Sequence, residues 1–78
     1  MSNLEKYKQA FTNAFGIDLS HVVELTYQEI PEWDSVGHMA LIAEIEEAFD
    51  IMLDTDDIID LSSFEKGKEI VRKYDVEL

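Results

Sequence analysis

Trp33-Asp34-Ser35-Val36-Gly37-His38-Met39-Ala40-Leu41-Ile42-Ala43-Glu44-Ile45-Glu46-Glu47-Ala48-Phe49-Asp50 is the stretch on which the fold turns. Asp34 and Ser35 are both suited to cap a helix, because a short side-chain oxygen accepts from the orphan N–H groups of the first turn. Behind them, Val36, Met39, Ala40 and Ala43, together with Ile42, Ile45 and Phe49, spread over more than one helical face. A helix this apolar touches the core and something else as well. The stretch predicts a helix from Asp34-Ser35 to about Asp50.

Working toward the N-terminus, a second helix is predicted over Asn3 to Phe15. Ser2 and Glu5 stand at capping-box spacing. Leu4, Tyr7, Phe11, Ala14 and Phe15 recur at three and four residues and form one apolar stripe. Gly16 follows where a left-handed residue ends a helix. From Gly16 to Trp33 the pattern is less regular. Val23, Leu25 and Tyr27 alternate as a strand would, but no partner strand stands out, and a lone strand is unstable. This stretch reads as a long ordered loop with one helical turn near Ser20–Leu25. Pro31 holds Ile30 extended.

Toward the C-terminus, a short helical segment is expected after Asp54-Thr55, with Asp56 and Asp57 in its first turn, where acids suit the helix dipole. The last helix opens at Ser62-Ser63, with Ser62 and Glu65 again at capping-box spacing. Phe64, Val71 and Tyr74 face the core, and Glu69 with Lys73 makes an i,i+4 pair. Gly67 costs about 1 kcal/mol relative to alanine inside a helix, which a close approach by a neighbour would explain. The fold class is therefore all-α: a small four-helix bundle of three longer helices and one short one, with a long loop between the first two. The 78 residues suit a single domain, 1–78.

Charge is the loudest feature of the composition. Eighteen acids oppose six bases, a net charge of −12. From Gln9 to Glu65 there is no Lys or Arg, while that stretch carries fourteen acids. Such a chain disfavours nucleic-acid backbone and anionic membrane, both polyanions, and favours partners with basic surfaces. No apolar run is long enough to span a bilayer. The first residues lack the basic and apolar regions of a secretory signal, so cytoplasmic residence is expected, as a monomer. Cysteine is absent, which excludes thiolate chemistry within the chain itself.

The catalytic inventory is poor. His21 and His38 lie apart, and a bundle of this size offers little concavity in which to exclude water. No zinc-ligand spacing such as HExxH occurs. Asp54, Asp56 and Glu65 fit positions 1, 3 and 12 of a calcium loop, but Ile58 and Ile59 stand where a ligand and a glycine are required, so that match fails. The acids around Asp56 read instead as capping groups on a solvated turn. His38 reads as an exposed histidine or as a contact to Asp34 or to a phosphodiester. His21 reads as an exposed loop residue. Trp33 reads as a core anchor for the loop, and Met39 and Met52 as packing residues, Met39 partly exposed. Ser35 sits at a helix start, where a phosphate ester is stabilised by unpaired N–H groups and the helix dipole. On these residues alone an ordinary Asp-Ser cap is the better explanation.

Asp34-Ser35-Val36, then Met39, Ile42, Ile45-Glu46-Glu47 and Phe49-Asp50-Ile51, resembles the acyl carrier protein family. The resemblance extends to Asp56-Asp57-Ile58, Leu61 and Ser63-Phe64, and is weak before Gly16. It implies a carrier protein rather than an enzyme. In that family a separate phosphopantetheinyl transferase moves 4′-phosphopantetheine from coenzyme A onto the motif serine, here Ser35. The thiol of that arm then holds acyl or aminoacyl groups as thioesters, which would give a cysteine-free chain its thiol. Loading and processing enzymes with basic docking patches are the partners implied. By position, Asp34, Glu46 and Glu47 match acidic recognition sites, and Val36, Met39 and Ala43 match apolar contact sites. No metal site or catalytic residue on this chain is implied. Gly37 and Ala40 stand where many fatty-acid carriers have acids. That departure, with Trp33 before Asp34, is more similar to stand-alone carriers of specialised biosynthetic pathways than to the carrier of fatty-acid synthesis. An acyl carrier protein of fatty-acid synthesis is the alternative within the family, and an acidic helical adaptor without a prosthetic group is the alternative from another class.

Overall fold

The computed structural model describes residues 2–17 and 25–78. Four helices follow in order: α1 (Asn3–Phe15), α2 (Ser35–Phe49), α3 (Thr55–Asp60) and α4 (Phe64–Arg72), with no strand among the described residues. This is the small all-α bundle that the sequence predicts, with one short helix and a long connection between α1 and α2. The helical turn expected near Ser20–Leu25, the alternation starting at Val23 and the reading of His21 lie outside the described residues.

The helix ends show why the elements begin and stop where they do. Ser2 caps α1, its Oγ accepting from the Glu5 N–H at 3.1 Å. The capping box is only half made, because Glu5 Oε1 meets the Ser2 hydroxyl rather than its backbone N–H. Gly16 takes φ +67° and gives its N–H to the Thr12 carbonyl, ending α1 as expected. Asp34 caps α2 through its carboxylate, which accepts from the Gly37 N–H at 2.8 Å. Asp50 ends α2 in the left-handed conformation, φ 54°. Beyond it, Glu46 accepts from Ile51 N–H with its carbonyl and from Leu53 N–H with its carboxylate, at 3.1 and 2.9 Å.

Two expectations about the C-terminal third are corrected. Ser63, not Ser62, caps α4, accepting from Lys66 N–H at 3.0 Å. The reason is a pairing across the fold. Tyr27 N–H donates to the Ser62 carbonyl and Phe64 N–H to the Leu25 carbonyl, an antiparallel bridge between Thr26 and Ser63. Ser62 is thereby kept extended, and the helix starts one residue later. The same bridge supplies the backbone partner that the alternating residues of the connection lacked in the sequence.

The second correction concerns Lys73, which does not pair with Glu69. Its Nζ reaches Asp57 Oδ1 at 2.6 Å, while Glu69 pairs loosely with Lys66 at 3.9 Å and Glu65 with Lys68 at 3.3 Å. Asp57 is no solvated turn residue. It is only 5% exposed, and its second oxygen accepts from the Tyr74 hydroxyl at 2.6 Å. Tyr74 in turn accepts from the Asp54 N–H at 3.0 Å. These contacts tie α3 to the end of α4. The hydrogen bond from Lys73, then that from Tyr74, holds the Asp57 carboxyl below the usual carboxylate range. The bond to Asp57 raises Lys73 in turn.

An aromatic cluster forms the core. Tyr7, Phe11, Trp33 and Phe64 have no exposed surface, and Phe15 has almost none. Phe11 stands 5.5 Å from Trp33 and 5.2 Å from Phe64, centroid to centroid. Leu41, Ile42 and Ile45 of α2 close over it with Leu61, Ile70 and Val71. Fully buried aliphatic side chains of this kind each contribute about 1.5–3 kcal/mol. Leu41 and Ala10 were not singled out by the sequence pattern, because neighbours on two faces of each helix are equally apolar. Met52, expected to pack, is 83% exposed at the turn after α2.

Tyr7 explains Gly67. Its hydroxyl donates to the Phe64 carbonyl at 2.7 Å, and a Cβ on Gly67 would collide with that hydroxyl oxygen. The glycine is thus the close approach anticipated within α4. Burial pushes the Tyr7 hydroxyl far above its usual value, with the charge of Glu65 adding to the effect, so it stays a donor.

Two measurements test this account. Gly67→Ala should destabilise the wild type more than it destabilises Tyr7→Phe, which lacks the colliding oxygen, by about 1–3 kcal/mol in urea unfolding. Equal effects in the two backgrounds would remove the close-approach explanation. For Asp57, a carboxyl lowered on folding stabilises above its unfolded value and loses that contribution as pH falls through its folded value. Asp57→Asn should therefore melt below the wild type at neutral pH, and the gap should close in acid, below the ordinary carboxylate range. A gap independent of pH would mean that the charge of Asp57 contributes nothing.

Candidate functional site

The connection enters α2 through a series of tight turns. Glu29 N–H donates to the Thr26 carbonyl, Gln28 N–H to Trp33, and Trp33 N–H to Ile30, at 3.0 to 3.1 Å. Gln28 adopts φ 67° to make this possible. Trp33 drops into the core at the end of the series, between Phe11 and Phe15. With the tryptophan fixed, Asp34 caps and Ser35 becomes the first residue of α2, exposed to solvent.

Gly37 is required by this entry. A Cβ there would overlap the Glu32 carbonyl oxygen and crowd the Phe15 ring. The residue that departs from the acidic pattern of many carriers has a steric cause in this fold. An acid at this position would push the loop off the first turn.

The N-terminus of α2 has its backbone donors partly assigned. Gly37 N–H goes to the Asp34 carboxylate and His38 N–H to the Asp34 carbonyl. Ser35 and Val36 occupy the first two helical positions, whose N–H groups have no intrahelical acceptor. The Ser35 hydroxyl therefore lies on an open helix end with a capping carboxylate beside it. Among the described residues no free histidine stands beside it as a base, since both ring nitrogens of His38 have partners and the Asp34 carboxylate caps Gly37. As an acceptor of a phosphate ester it has open space and the positive end of the helix dipole.

His38 is the residue whose role the sequence missed. It is half-buried rather than exposed, and its ring nitrogens bond to Trp33 and Ile58 rather than to Asp34. Trp33 Nε1–H donates to His38 Nδ1 at 2.9 Å, and His38 Nε2 lies 2.7 Å from the Ile58 carbonyl. The rings of Trp33 and His38 stack at 15°, and Tyr27 meets His38 edge-on at 5.4 Å. The one sequence signal was spacing. Trp33 and His38 lie either side of the cap, close enough to bond once the chain turns into the helix.

The candidate docking residues separate into two groups. Val36, Met39, Ala43 and Glu47 follow one another at three- and four-residue steps and are all exposed, Val36 by 78% and Met39 by 53%. Asp34 is exposed at the top of this stripe. Glu46 is different, being half-buried with one carboxylate oxygen bound to Leu53 N–H. Its position in the turn after α2 makes it structural as well as acidic. The sequence pattern missed Ile59 of α3, which is 73% exposed.

Ile59 also borders a cleft of about 260 Å³ lined by Tyr27, His38, Leu61 and Ser62. A second groove of about 330 Å³ runs between α1 and α2, where Lys6, Gln9 and Asn13 face Glu44 and Glu47 across Ala10 and Ala48. No buried side-chain polar atom lacks a partner there. Among the described residues, no group of three His, Cys, Asp or Glu side chains comes together as a metal site. No helix among them is long and apolar enough to cross a membrane.

No family model matches the chain, and neither a curated protein nor a solved structure matches it.

Proposed function

We propose that this protein is a carrier whose Ser35 bears a 4′-phosphopantetheine arm, and that it holds acyl or aminoacyl groups as thioesters for the enzymes of a specialised pathway. The observation that carries the reading is the setting of Ser35. An exposed hydroxyl stands on the first position of α2, beside a capping aspartate, at the head of an exposed apolar stripe that ends in an acid.

The residues present fit the arm. Ser35 Oγ would form the phosphodiester, displacing the nucleotide half of coenzyme A on a separate transferase. Ser35 and Val36 N–H groups lie where they favour its negative charge. Once attached, the arm supplies the thiol that the chain lacks. The protein's own contribution is placement. Trp33 and Gly37 fix the entry to α2, Asp34 fixes its first turn, and Val36, Met39, Ala43 and Glu47 offer a surface beside the attachment point. An enzyme that works on the cargo would rest on that surface, with basic residues opposite Asp34 and Glu47. The chain itself performs no chemistry in this reading. Loss of acids at Gly37 and Ala40 favours specialised enzymes over those of fatty-acid synthesis as partners.

Intact mass after incubation with coenzyme A, magnesium and a broad-specificity transferase tests attachment. The wild type should gain the mass of one arm, and Ser35→Ala should gain none. An unmodified wild type would favour the adaptor reading, and an arm on Ser20, Ser62 or Ser63 with Ser35 untouched would overturn the assignment to Ser35.

Loading kinetics across a salt series test the docking surface. Glu47→Lys should slow loading most at low ionic strength, because the Debye length shrinks from about 30 Å at 0.01 M to about 10 Å at 0.1 M. Met39→Ala should slow it at every salt concentration, with circular dichroism unchanged in both variants. Wild-type loading by Glu47→Lys at low salt would move the docking surface elsewhere, with the acids around Asp56 the next candidates.

A further inference from the structure

Three chain segments meet at the head of α2: the connection ending in Trp33, the first turn of α2, and α3. One side chain bonds to the first and last of them from the second. His38 accepts from the Trp33 indole at Nδ1 and contacts the Ile58 carbonyl at Nε2. A carbonyl only accepts, so Nε2 must carry the proton. An indole N–H only donates, so Nδ1 must be bare. The pair of partners therefore selects one form of the ring, the neutral Nε2–H imidazole.

We propose that His38 is a positioning residue for the Ser35 site, holding the connection and α3 at a fixed separation through this neutral form alone. The proposal rests on the carrier reading for its functional half. The strut lies three residues from Ser35, and α3 brings exposed Ile59 to the same end of the molecule. Without the strut, the connection and α3 are no longer tied through His38 to the helix that presents the serine.

The bridge breaks on one side only in acid. A second proton on Nδ1 sets two donors face to face. Trp33, which has no exposed surface, then has no acceptor for its N–H. The Ile58 contact survives, because Nε2 still donates. The loop side is thus the side released.

Among the described residues, the surroundings of the ring do not offer a replacement. The Trp33 indole stacks against it and the Tyr27 ring meets it edge-on, with the Ile58 carbonyl at Nε2. Of the described carboxylates on these segments, Glu29 is bonded to Thr26, Asp34 to Gly37, and Asp57 to Lys73 and Tyr74. Glu32, Asp54, Asp56 and Asp60 are exposed, and none is hydrogen-bonded to the ring.

The chain has a single tryptophan, so its fluorescence reads the bridge directly. Trp33 emission should shift on acidification, once the ring takes a proton on Nδ1. The shift should persist in His21→Gln and vanish in His38→Gln, whose amide keeps one acceptor and one donor at every pH. A shift that survives His38→Gln, or that disappears with His21→Gln, overturns the strut.

Transferase kinetics test the positioning. His38→Leu should raise the KM for the carrier about tenfold with kcat nearly unchanged, the effect of one lost buried hydrogen bond on the competent geometry. His38→Gln should restore it. A wild-type KM for His38→Leu overturns the positioning role. If the wild type itself takes no arm, the carrier reading fails, while the fluorescence result still decides whether the strut exists.

Discussion

The burial of Trp33 is the constraint on which the rest of the molecule depends. Its ring lies 5.5 Å from Phe11 and 5.3 Å from Phe15, so the connection is pinned to α1 from the side that α2 must also cover. Pinning it leaves no slack in the next two residues. Asp34 can then only cap, and Ser35 can only begin a helix at the surface. Gly37 follows from the same event, because the Glu32 carbonyl is pulled against the first turn of α2. An indole N–H at zero exposure also needs an acceptor, since an unmatched buried donor costs about 1–3 kcal/mol. His38 meets that need, and in doing so reaches α3.

Much of this architecture was legible in the sequence. The α1 stripe, the stop at Gly16, the start at Asp34-Ser35 and the close approach at Gly67 all follow from local rules: periodicity, caps and the lack of a Cβ. What failed to show was tertiary in origin. Ser62 looks as good a cap as Ser63 until Tyr27 occupies its carbonyl. Lys73 looks like a partner for Glu69 until Asp57, sixteen residues away in sequence, is brought against it. His38 looks exposed on a helix diagram, because its partners come from a loop and a neighbouring helix. Each miss involves a partner that only the folded chain brings close: Tyr27 for Ser62, Asp57 for Lys73, and Ile58 for His38.

The candidate site divides in the same way. Exposure of Ser35, Val36, Met39 and Glu47 follows from position on the outer face of α2, which periodicity reports. Glu46 does not behave as its sequence neighbour does. One residue further round the helix, it turns inward and satisfies Leu53 N–H, so that two adjacent glutamates have different roles. A run of acids read as a single docking surface is in fact part surface and part scaffold.

The same division governs the charge. Six bases serve eighteen acids, and they are gathered near the two ends of the chain. Among the described residues, the ion pairs lie within α4 or join its end to α3. None involves an acid of α2. Lys73 is committed to Asp57, where it holds a short helix of six residues that could not stand alone. The basic C-terminal region thus stabilises α3 and leaves the negative field of α2 uncompensated. Self-repulsion of that field costs stability, and the aromatic core must offset it. A surface kept in this state is not explained by the packing of α2, whose buried face is Leu41, Ile42 and Ile45. Under the carrier reading proposed above, this charge, beside an apolar stripe and an exposed serine, is what a basic partner would read.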